Sequence, residues 1–389
     1  MSDPLKAVHI STVRPPMEVR VFHHECVYLA REGFDVELVI HNGDGGDETV
    51  EGVTIRSLGH RAKQRGLLFM SRLKAVLRAA KRAQEGAPVD IFQLHDPELI
   101  PLGWWLKLTT KSKVIYDSAE NYTAYMKQKY FLPAPVRAIL AFCMGTLETT
   151  AARWFDAIVT ADQGTSDIFI QRGAREVVTV HNFPVLGIFD IPPVADEDKK
   201  FDLVYHGSIP RYHLEVAFDV ASELKRRGRS PKWLFFGICH DTDWAAEEIR
   251  KRGLDGLFEI RGRVNHDEVA PLVAEARIGF IPLPDLPKFQ QNIPMKLFEF
   301  MTLRMPVVLT NLPPSRPFAG DGKAAIMVTP GAIDEFADAI EKLLDDEPLR
   351  HQMGAEGRRR VEAEYNWRME SRKLVRLYEH FANEQGKSV

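Results

Sequence analysis

The chain has 389 residues, more than one ordinary core holds, so length alone predicts two to three domains. Hydrophobic residues make up 45% and charged residues 27%, a globular mixture, and 51 basic against 54 acidic side chains leave a formal charge of -3. That balance excludes a nucleic-acid binder that works by bulk charge, and no apolar run approaches the ~20 residues of a membrane-spanning helix.

Cys26, Cys143 and Cys239 are too scattered for a disulfide framework or a metal-ligand spacing. With no basic-then-apolar leader after Met1, they give the expectation of a reducing cytoplasm.

In chain order, β-rich runs alternate with helical segments. Strands are predicted over 6–12, 35–40, 53–58, 90–94, 113–116, 156–160 and 177–180. Helices are predicted between them over 19–31, 67–84, 98–108, 135–153 and 165–172. Such alternation argues for a parallel sheet covered on both faces. Val36-Glu37-Leu38-Val39-Ile40 has the mostly apolar, β-branched makeup of a buried parallel strand. The proline- and charge-rich segment 191–200 reads as a linker. The pattern then restarts, with strands over 202–205, 232–236, 257–260, 278–281, 307–310 and 325–328. Helices over 214–227, 266–276, 295–303 and 334–344 lie between, and a last helix covers 366–382. The expected architecture is two doubly wound α/β domains facing each other across a cleft.

Ligands of open α/β sheets bind beyond the carboxyl ends of strands. In the first half those positions hold Arg14, then His95 and Asp96, then Asp117 and Glu120, then His181 and Asn182. One such residue commonly just caps a turn or helix. Several at one sheet edge point to a site. In the second half, Gly207 and Ser208 permit close backbone approach, and Arg211 offers a bidentate clamp for a diphosphate. Gln291-Asn292-Ile293-Pro294 leads into a helix that carries Lys296 and Glu299. Pro294 marks the first turn, the helix start suits a phosphate, Lys296 adds a full charge, and Glu299 accepts from sugar hydroxyls. The alternative is an i,i+3 surface pair of ~0.2–0.5 kcal/mol.

Other signals exclude more than they assign. No G-x-G-x-x-G follows the first strand and no G-x-x-x-x-G-K-[ST] occurs, which argues against a dinucleotide oxidoreductase and a P-loop NTPase. Adjacent residues in His23-His24-Glu25-Cys26 diverge on a helix, so no metal is expected there. Segment 61–82 has eight basic residues and no acidic one, with Phe69, Leu73, Val76, Leu77 and Ala80 at helical spacing. It reads equally as a helix with a solvated basic face or as a contact with an anionic membrane, at ~1 kcal/mol per charge near the surface.

Four pieces, in order and spacing, resemble one family over nearly the whole length. They are Arg14-Pro15-Pro16-Met17-Glu18-Val19-Arg20-Val21-Phe22-His23; His95-Asp96-Pro97-Glu98-Leu99; Pro294-Met295-Lys296-Leu297-Phe298-Glu299-Phe300-Met301 with Pro306-Val307-Val308; and Tyr365-Asn366-Trp367. They resemble the retaining, nucleotide-sugar-dependent glycosyltransferases of family 4, with the GT-B fold. The resemblance implies an acceptor domain over 1–190, a nucleotide-sugar domain over 201–365, and a C-terminal helix over 366–389 that crosses back onto the first. It implies a nucleotide-diphosphate sugar as donor and a glycan or lipid-linked saccharide as acceptor. Nucleic acid is not an expected partner. The setting is cell-surface polysaccharide biosynthesis, in the cytoplasm or on the cytoplasmic face of the inner membrane.

From the strand ends, the helix start and the resemblance together, the predicted catalytic group is His95, Asp96, Asp117, Glu120, Arg211 and Lys296. The substrate-binding group is Arg14, Arg20, His181, Asn182, Gly207, Ser208, Gln291, Asn292, Ile293, Pro294 and Glu299. No cofactor is implied. No Asp-x-Asp of the metal-binding transferase kind is evident, so no obligatory metal is expected. Three positions depart from the family pattern. Gln291 stands at the first glutamate of Glu-x7-Glu, Arg304 where many members have glycine, and Ala119 where relatives often carry histidine. Those departures keep a catalytically silent scaffold in view, with a sugar-nucleotide epimerase as a third reading.

Overall fold

The computed structural model describes residues 4–15, 17–41, 46–59, 74, 76–79, 81, 82, 85, 88–127, 129, 132–287, 289–384 and 386. The chain divides into two compact units. One is Met1–Asn182 with Arg368–Val389, and the other is Phe183–Trp367.

In the first unit the strands are β1 (Lys6–Ile10), β2 (Asp35–Ile40), β3 (Glu48–Val50), β4 (Val53–Ser57), β5 (Ile91–Leu94), β6 (Lys113–Ser118), β7 (Ala157–Thr160) and β8 (Val177–Thr179). Their order is β3-β4-β2-β1-β5-β6-β7-β8. All pairs are parallel except β3 with β4. The sequence reading missed β3. It is a short edge strand joined to β4 through Glu51 and Gly52, both at positive φ, as a tight hairpin turn requires. Helices bury one sheet face with Leu99, Leu102, Leu106, Ala151, Phe155 and Phe169.

Two features depart from simple expectation. Residues 19–31 are not one regular helix. Val19–Cys26 is a π-helix, and only Val27–Arg31 continues as α. The i,i+5 winding lines up residues five apart, which turns Arg20 and Glu25 toward the same interior. The C-terminal helix, Trp367–Glu384, buries Leu374, Leu377, Tyr378 and Phe381. From Arg368 onward it belongs to the first unit. Most of the helix predicted over 67–84, and of segment 61–82, lies outside the described residues.

The second unit holds β9 (Phe201–Ser208), β10 (Trp233–Ile238), β11 (Phe258–Arg261), β12 (Ala276–Ile281), β13 (Val307–Thr310) and β14 (Ala325–Val328). They form a parallel sheet in the order β11-β10-β9-β12-β13-β14. Leu203, Tyr205, Phe218, Trp233 and Phe235 pack one face. Val204, Leu234, Phe236, Phe298 and Phe300 pack the other. Phe183 joins that second cluster, 4.5 Å from Phe298 between ring centroids. This draws residues 183–190 away from the first domain, where they were expected. The linker at 191–200 is likewise packed rather than free, because Asp196 pairs with Arg350 and Lys199.

Among the described residues, three α-helices escaped the sequence reading because their buried faces are not apolar stripes. Tyr122–Lys127 buries nothing, and Thr242–Lys251 buries only Ala245. Glu347–Ala363 buries Arg350, Gly354, Gly357 and Arg358 beside Met353 and Val361. Gly354 is obligatory there, since a Cβ would lie 1.9 Å from the Arg304 carbonyl oxygen. Gly237 is still more constrained. Its φ is +133° and a Cβ would sit 2.0 Å from the Gly207 oxygen. Gly237→Ala is expected to cost about 2–4 kcal/mol in chemical denaturation. A loss below 1 kcal/mol would show that these strand ends are not held as described.

Candidate functional site

Each sheet reverses its strand order once, between β1 and β5 and between β9 and β12. Such switch points are where crevices open, and both collect polar groups.

At the first switch point, His9 of β1 and His95 after β5 stack with centroids 5.1 Å apart, and His9 Nδ1 lies 2.9 Å from His95 Nε2. His95 Nδ1 donates to Asp117 Oδ2 at 2.8 Å. Arg20 grips Asp117 with two bonds of 3.1 and 2.8 Å. It also donates to the Val180 carbonyl at 3.0 Å and to Asn182 Oδ1 at 2.5 Å. Glu25 lies 3.2 Å from Arg20 Nε and 2.6 Å from Gln93 Nε2. Tyr378, from the C-terminal helix, lies 2.8 Å from Gln93 Oε1 and 3.0 Å from His9 Nε2. Apart from Asn182, every one of these side chains is buried.

Burial raises the Asp117 carboxyl, but Arg20 and the bond from His95 outweigh it and hold the pKa well below the usual carboxylate range. Burial, then the Asp117 charge, pushes Glu25 well above it. Burial and then His95 push His9 well below the usual imidazole range. Two proton arrangements satisfy the chain of bonds. In one, Glu25 is ionised, Gln93 donates to it, and the histidine pair carries an extra proton. In the other, Glu25 is protonated and the Gln93 amide is turned over. Tyr378 then donates to His9, His9 to His95, and His95 to Asp117. The second arrangement has two fewer buried charges, so low dielectric favours it.

His9, Glu25 and His95 also bring three ligand atoms within 4.8 Å of one another. The two imidazoles, however, bond each other directly at 2.9 Å, and Arg20 already faces Glu25. A shared proton fits that spacing better than a cation does. The other such group among the described residues is Asp196, Glu347 and His351. There Asp196 is taken up by Arg350 and Lys199.

The remaining predicted residues of this unit divide by exposure. Asp96 is buried, and its Oδ2 accepts from Ser11 Oγ, Thr12 N and Val13 N at 2.8, 2.6 and 3.2 Å. It ties down the loop after β1. Arg14 pairs with Glu18 at 3.0 Å. Glu120 is exposed. His181 donates its backbone N–H to Glu370 at 2.9 Å. Arg14, Glu120, His181 and Asn182 thus keep some access to solvent at the carboxyl edge, whereas His95 and Asp117 have none.

At the second switch point lies a cavity of about 180 Å³. Of the residues named from the sequence, Ser208, Asn292, Ile293, Pro294 and Lys296 line it, together with Tyr205, Tyr212, His213, Leu283 and Phe289, which the sequence reading missed. Lys296 Nζ donates to Tyr205 Oη at 3.2 Å and lies 4.4 Å from the ring centre. Gly207 borders this ammonium, since a Cβ there would sit 3.8 Å from it. Tyr205 Oη bonds the Ser208 carbonyl at 2.8 Å and His213 Nδ1 at 2.7 Å. Burial lowers the Lys296 pKa to about 8. The Lys296–Thr302 helix has only seven residues, so the positive charge at its start comes chiefly from the Lys296 side chain rather than from a helix dipole.

Lys296 and Glu299 do not form the alternative surface pair. Glu299 Oε2 lies 3.0 Å from His206 Nε2 instead. Gln291 is exposed. Arg211 does not line the cavity. It is half exposed, pairs with Asp241 at 2.9 Å and lies 5.0 Å over the Trp244 ring. Asp241-Thr242-Asp243 and Asp196-Glu197-Asp198 are Asp-x-Asp tripeptides, but Asp241 is engaged by Arg211 and Asp196 by Arg350. A larger cavity, about 460 Å³, lies near the amino ends of β12 and β13 among residues 191–199 and 303–305. It is remote from the switch point and holds none of the predicted site residues.

Two Rossmann-like units of parallel sheet, each with a polar cluster at its own switch point, define the GT-B class of protein. Solved structures agree on the fold. Sucrose-phosphate synthase from Thermosynechococcus elongatus matches with a TM-score of 0.76 at 17% identity, over 98% of this chain and 100% of that one. Anabaena HepE, solved in complex with UDP and glucose, matches with 0.68 at 11% identity, over 96% and 99%. The model of the glycosyl transferase 4-like domain matches residues 18–182, and that of glycosyl transferases group 1 matches residues 189–360. The chain belongs to the glycosyltransferases of the GT-B, family 4 type.

Among curated relatives, alpha-D-kanosaminyltransferase of Streptomyces kanamyceticus is 28% identical over 165 residues, 42% of each chain. The capsular polysaccharide biosynthesis glycosyltransferase CapM of Staphylococcus aureus is 33% identical over 86 residues, 22% of this chain and 23% of that one. The chain thus spans less than half the length of the curated relatives that it matches.

Proposed function

We propose that the protein is a retaining glycosyltransferase that moves a sugar from a nucleotide-diphosphate donor, held by the second unit, to a glycan or lipid-linked acceptor, held by the first. The observation that carries this reading is Lys296, a half-buried amine with a lowered pKa on the wall of a sugar-sized cavity. It sits where the leaving diphosphate gathers negative charge. In the transfer, the bond from C1 to the diphosphate oxygen breaks and a bond from C1 to the acceptor oxygen forms on the same face. The acceptor proton passes to the departing oxygen. No strong side-chain base and no metal is needed, which suits Ala119 in place of a histidine. Arg211 is held by an exposed ion pair with Asp241, which binds weakly, and by the face of the Trp244 ring; a diphosphate draws it away. Glu299 and Asn292 hold donor hydroxyls, and Arg14, Glu120, His181 and Asn182 face the acceptor.

The UDP and glucose bound to HepE support a nucleotide-sugar donor. The names of the kanosaminyl and capsular relatives support a saccharide product, such as a cell-surface polysaccharide. We place the reaction at the cytoplasmic face of the inner membrane, with segment 61–82 toward anionic lipid. No helix among the described residues is long and apolar enough to cross a membrane.

Calorimetry against a panel of nucleotide-diphosphate sugars tests this reading. One donor is expected to bind and to release free nucleotide slowly without acceptor. An altered sugar would indicate an epimerase, and binding without turnover a scaffold. Because Lys296 loses its proton near pH 8, donor affinity should fall as pH rises from about 7 to 9. A flat profile would remove Lys296 from the diphosphate.

A further inference from the structure

The Ala134–Trp154 helix is apolar on the wrong side. Its inner face buries Ala141, Glu148, Ala151 and Ala152. A surface helix normally turns polar residues outward. Here the outward face of the first three turns carries Val136, Ile139, Leu140, Phe142 and Cys143, all exposed. Ile139 is 62% and Phe142 75% exposed. Positions 136, 139, 140 and 143 follow the i, i+3, i+4, i+7 spacing, so they form one continuous stripe beside Phe142. A scattered exposed leucine means little, whereas a contiguous row marks an interaction surface. Exposed Tyr125, on the adjoining Tyr122–Lys127 helix, adds a further apolar side chain. The two helices are fastened together, with Thr123 Oγ1 donating to Glu148 at 2.8 Å and Arg172 pairing with the same carboxylate at 2.8 Å.

Charge selects the occupant. Residues 121–147 contain Lys127, Lys129 and Arg137 and no acidic residue. Lys127 is exposed, Lys129 lies 5.4 Å over the Tyr125 ring, and Arg137 donates to the Lys127 carbonyl at 3.1 Å. With segment 61–82, eleven basic residues and no acidic one fall in two stretches of a chain whose net charge is -3. A second copy of the chain is a poor occupant, because a two-fold contact would set this cationic rim against itself. A bilayer with anionic headgroups satisfies both parts of the surface. Apolar side chains enter the boundary of the acyl chains, and lysine and arginine meet the phosphates.

We propose that the outward face of the Ala134–Trp154 helix, with Tyr125, Lys127, Lys129 and Arg137, docks the protein flat on an anionic lipid bilayer. This deepens the membrane-facing reading of the first unit and identifies a second, apolar anchor distinct from segment 61–82. It does not depend on the donor chemistry.

The test uses the full chain with Cys239→Ser, labelled at exposed Cys143 with an environment-sensitive dye; Cys26 is buried. Vesicles of phosphatidylcholine with 30% phosphatidylglycerol are compared with pure phosphatidylcholine. The protein should sediment with the anionic vesicles only, and the Cys143 dye should shift to the blue. The Ile139→Asp, Phe142→Asp double variant should lose about tenfold or more in partitioning, with unchanged melting temperature and donor binding. Three results overturn the proposal: no binding by the parent protein, equal binding by the double variant, or a dye that stays aqueous on bound vesicles. A parent dimer that the double variant abolishes would instead assign the face to a second copy. Donor binding, measured on the same samples, reports separately on the proposed activity.

Discussion

Lys296→Met is expected to reduce turnover by about 10²–10³-fold, the usual effect of removing one preorganised charge from a developing anion. The same change should leave the second unit at least as stable as before. Burial holds the ammonium near pKa 8, against 10.5 for an ordinary lysine, so below pH 8 the folded state carries a charge that it solvates poorly. That strain corresponds to about 1–3 kcal/mol, and methionine relieves it. The sign follows from the lowered pKa of a base. The parent regains stability as pH climbs from about 8 toward 10.5, and the variant does not. Steady-state kinetics and thermal melts at pH 7 and 10 check both halves. Full activity in the variant would remove Lys296 from the chemistry. A large loss of stability would mean that the contact with Tyr205 is chiefly structural.

The second large effect belongs to the buried network of the first unit. Arg20→Met or Asp117→Asn should each cost about 3–5 kcal/mol, because either change strands the opposite charge without solvent. Glu25→Gln should cost under about 1 kcal/mol, since glutamine supplies the donor and acceptor of a protonated acid. Glu25 is an acid whose pKa is raised on folding, so it stabilises the fold only while protonated. As pH rises above the ordinary carboxylate range, the parent loses that contribution and Glu25→Gln does not. The variant should therefore gain on the parent as pH rises above the ordinary carboxylate range. Denaturant titrations of the three variants decide. A Glu25→Gln loss as large as that of Arg20→Met would show that Glu25 is ionised and that the histidine pair carries the proton.

Much of the site was legible because polar residues at the ends of apolar strands are conspicuous. His95, Asp117 and Asn182 stood out in that way, and Arg20 unites them through 97 and 162 residues of sequence separation. Lys296 was legible from the segment that precedes its helix. Arg211 was legible as a cation, but not in its direction, since Asp241 and Trp244 draw it aside. His9, Glu25, Gln93 and Tyr378 were invisible as a group. Each looks like one polar interruption in an apolar element, and only packing brings the four together. The alignment of Arg20 with Glu25 needs a π-helix, which no apolar periodicity announces.

By itself the sequence determined the alternation of strands and helices, the two parallel sheets and the family, because those depend on runs and spacings within short stretches of chain. Tertiary structure alone decided that residues 183–190 join the second unit, that Asp96 pins a loop, and which proton positions the His9–His95–Asp117 chain allows. These outcomes depend on side chains far apart in sequence that share one desolvated volume. There, burial and partner geometry outweigh any local preference.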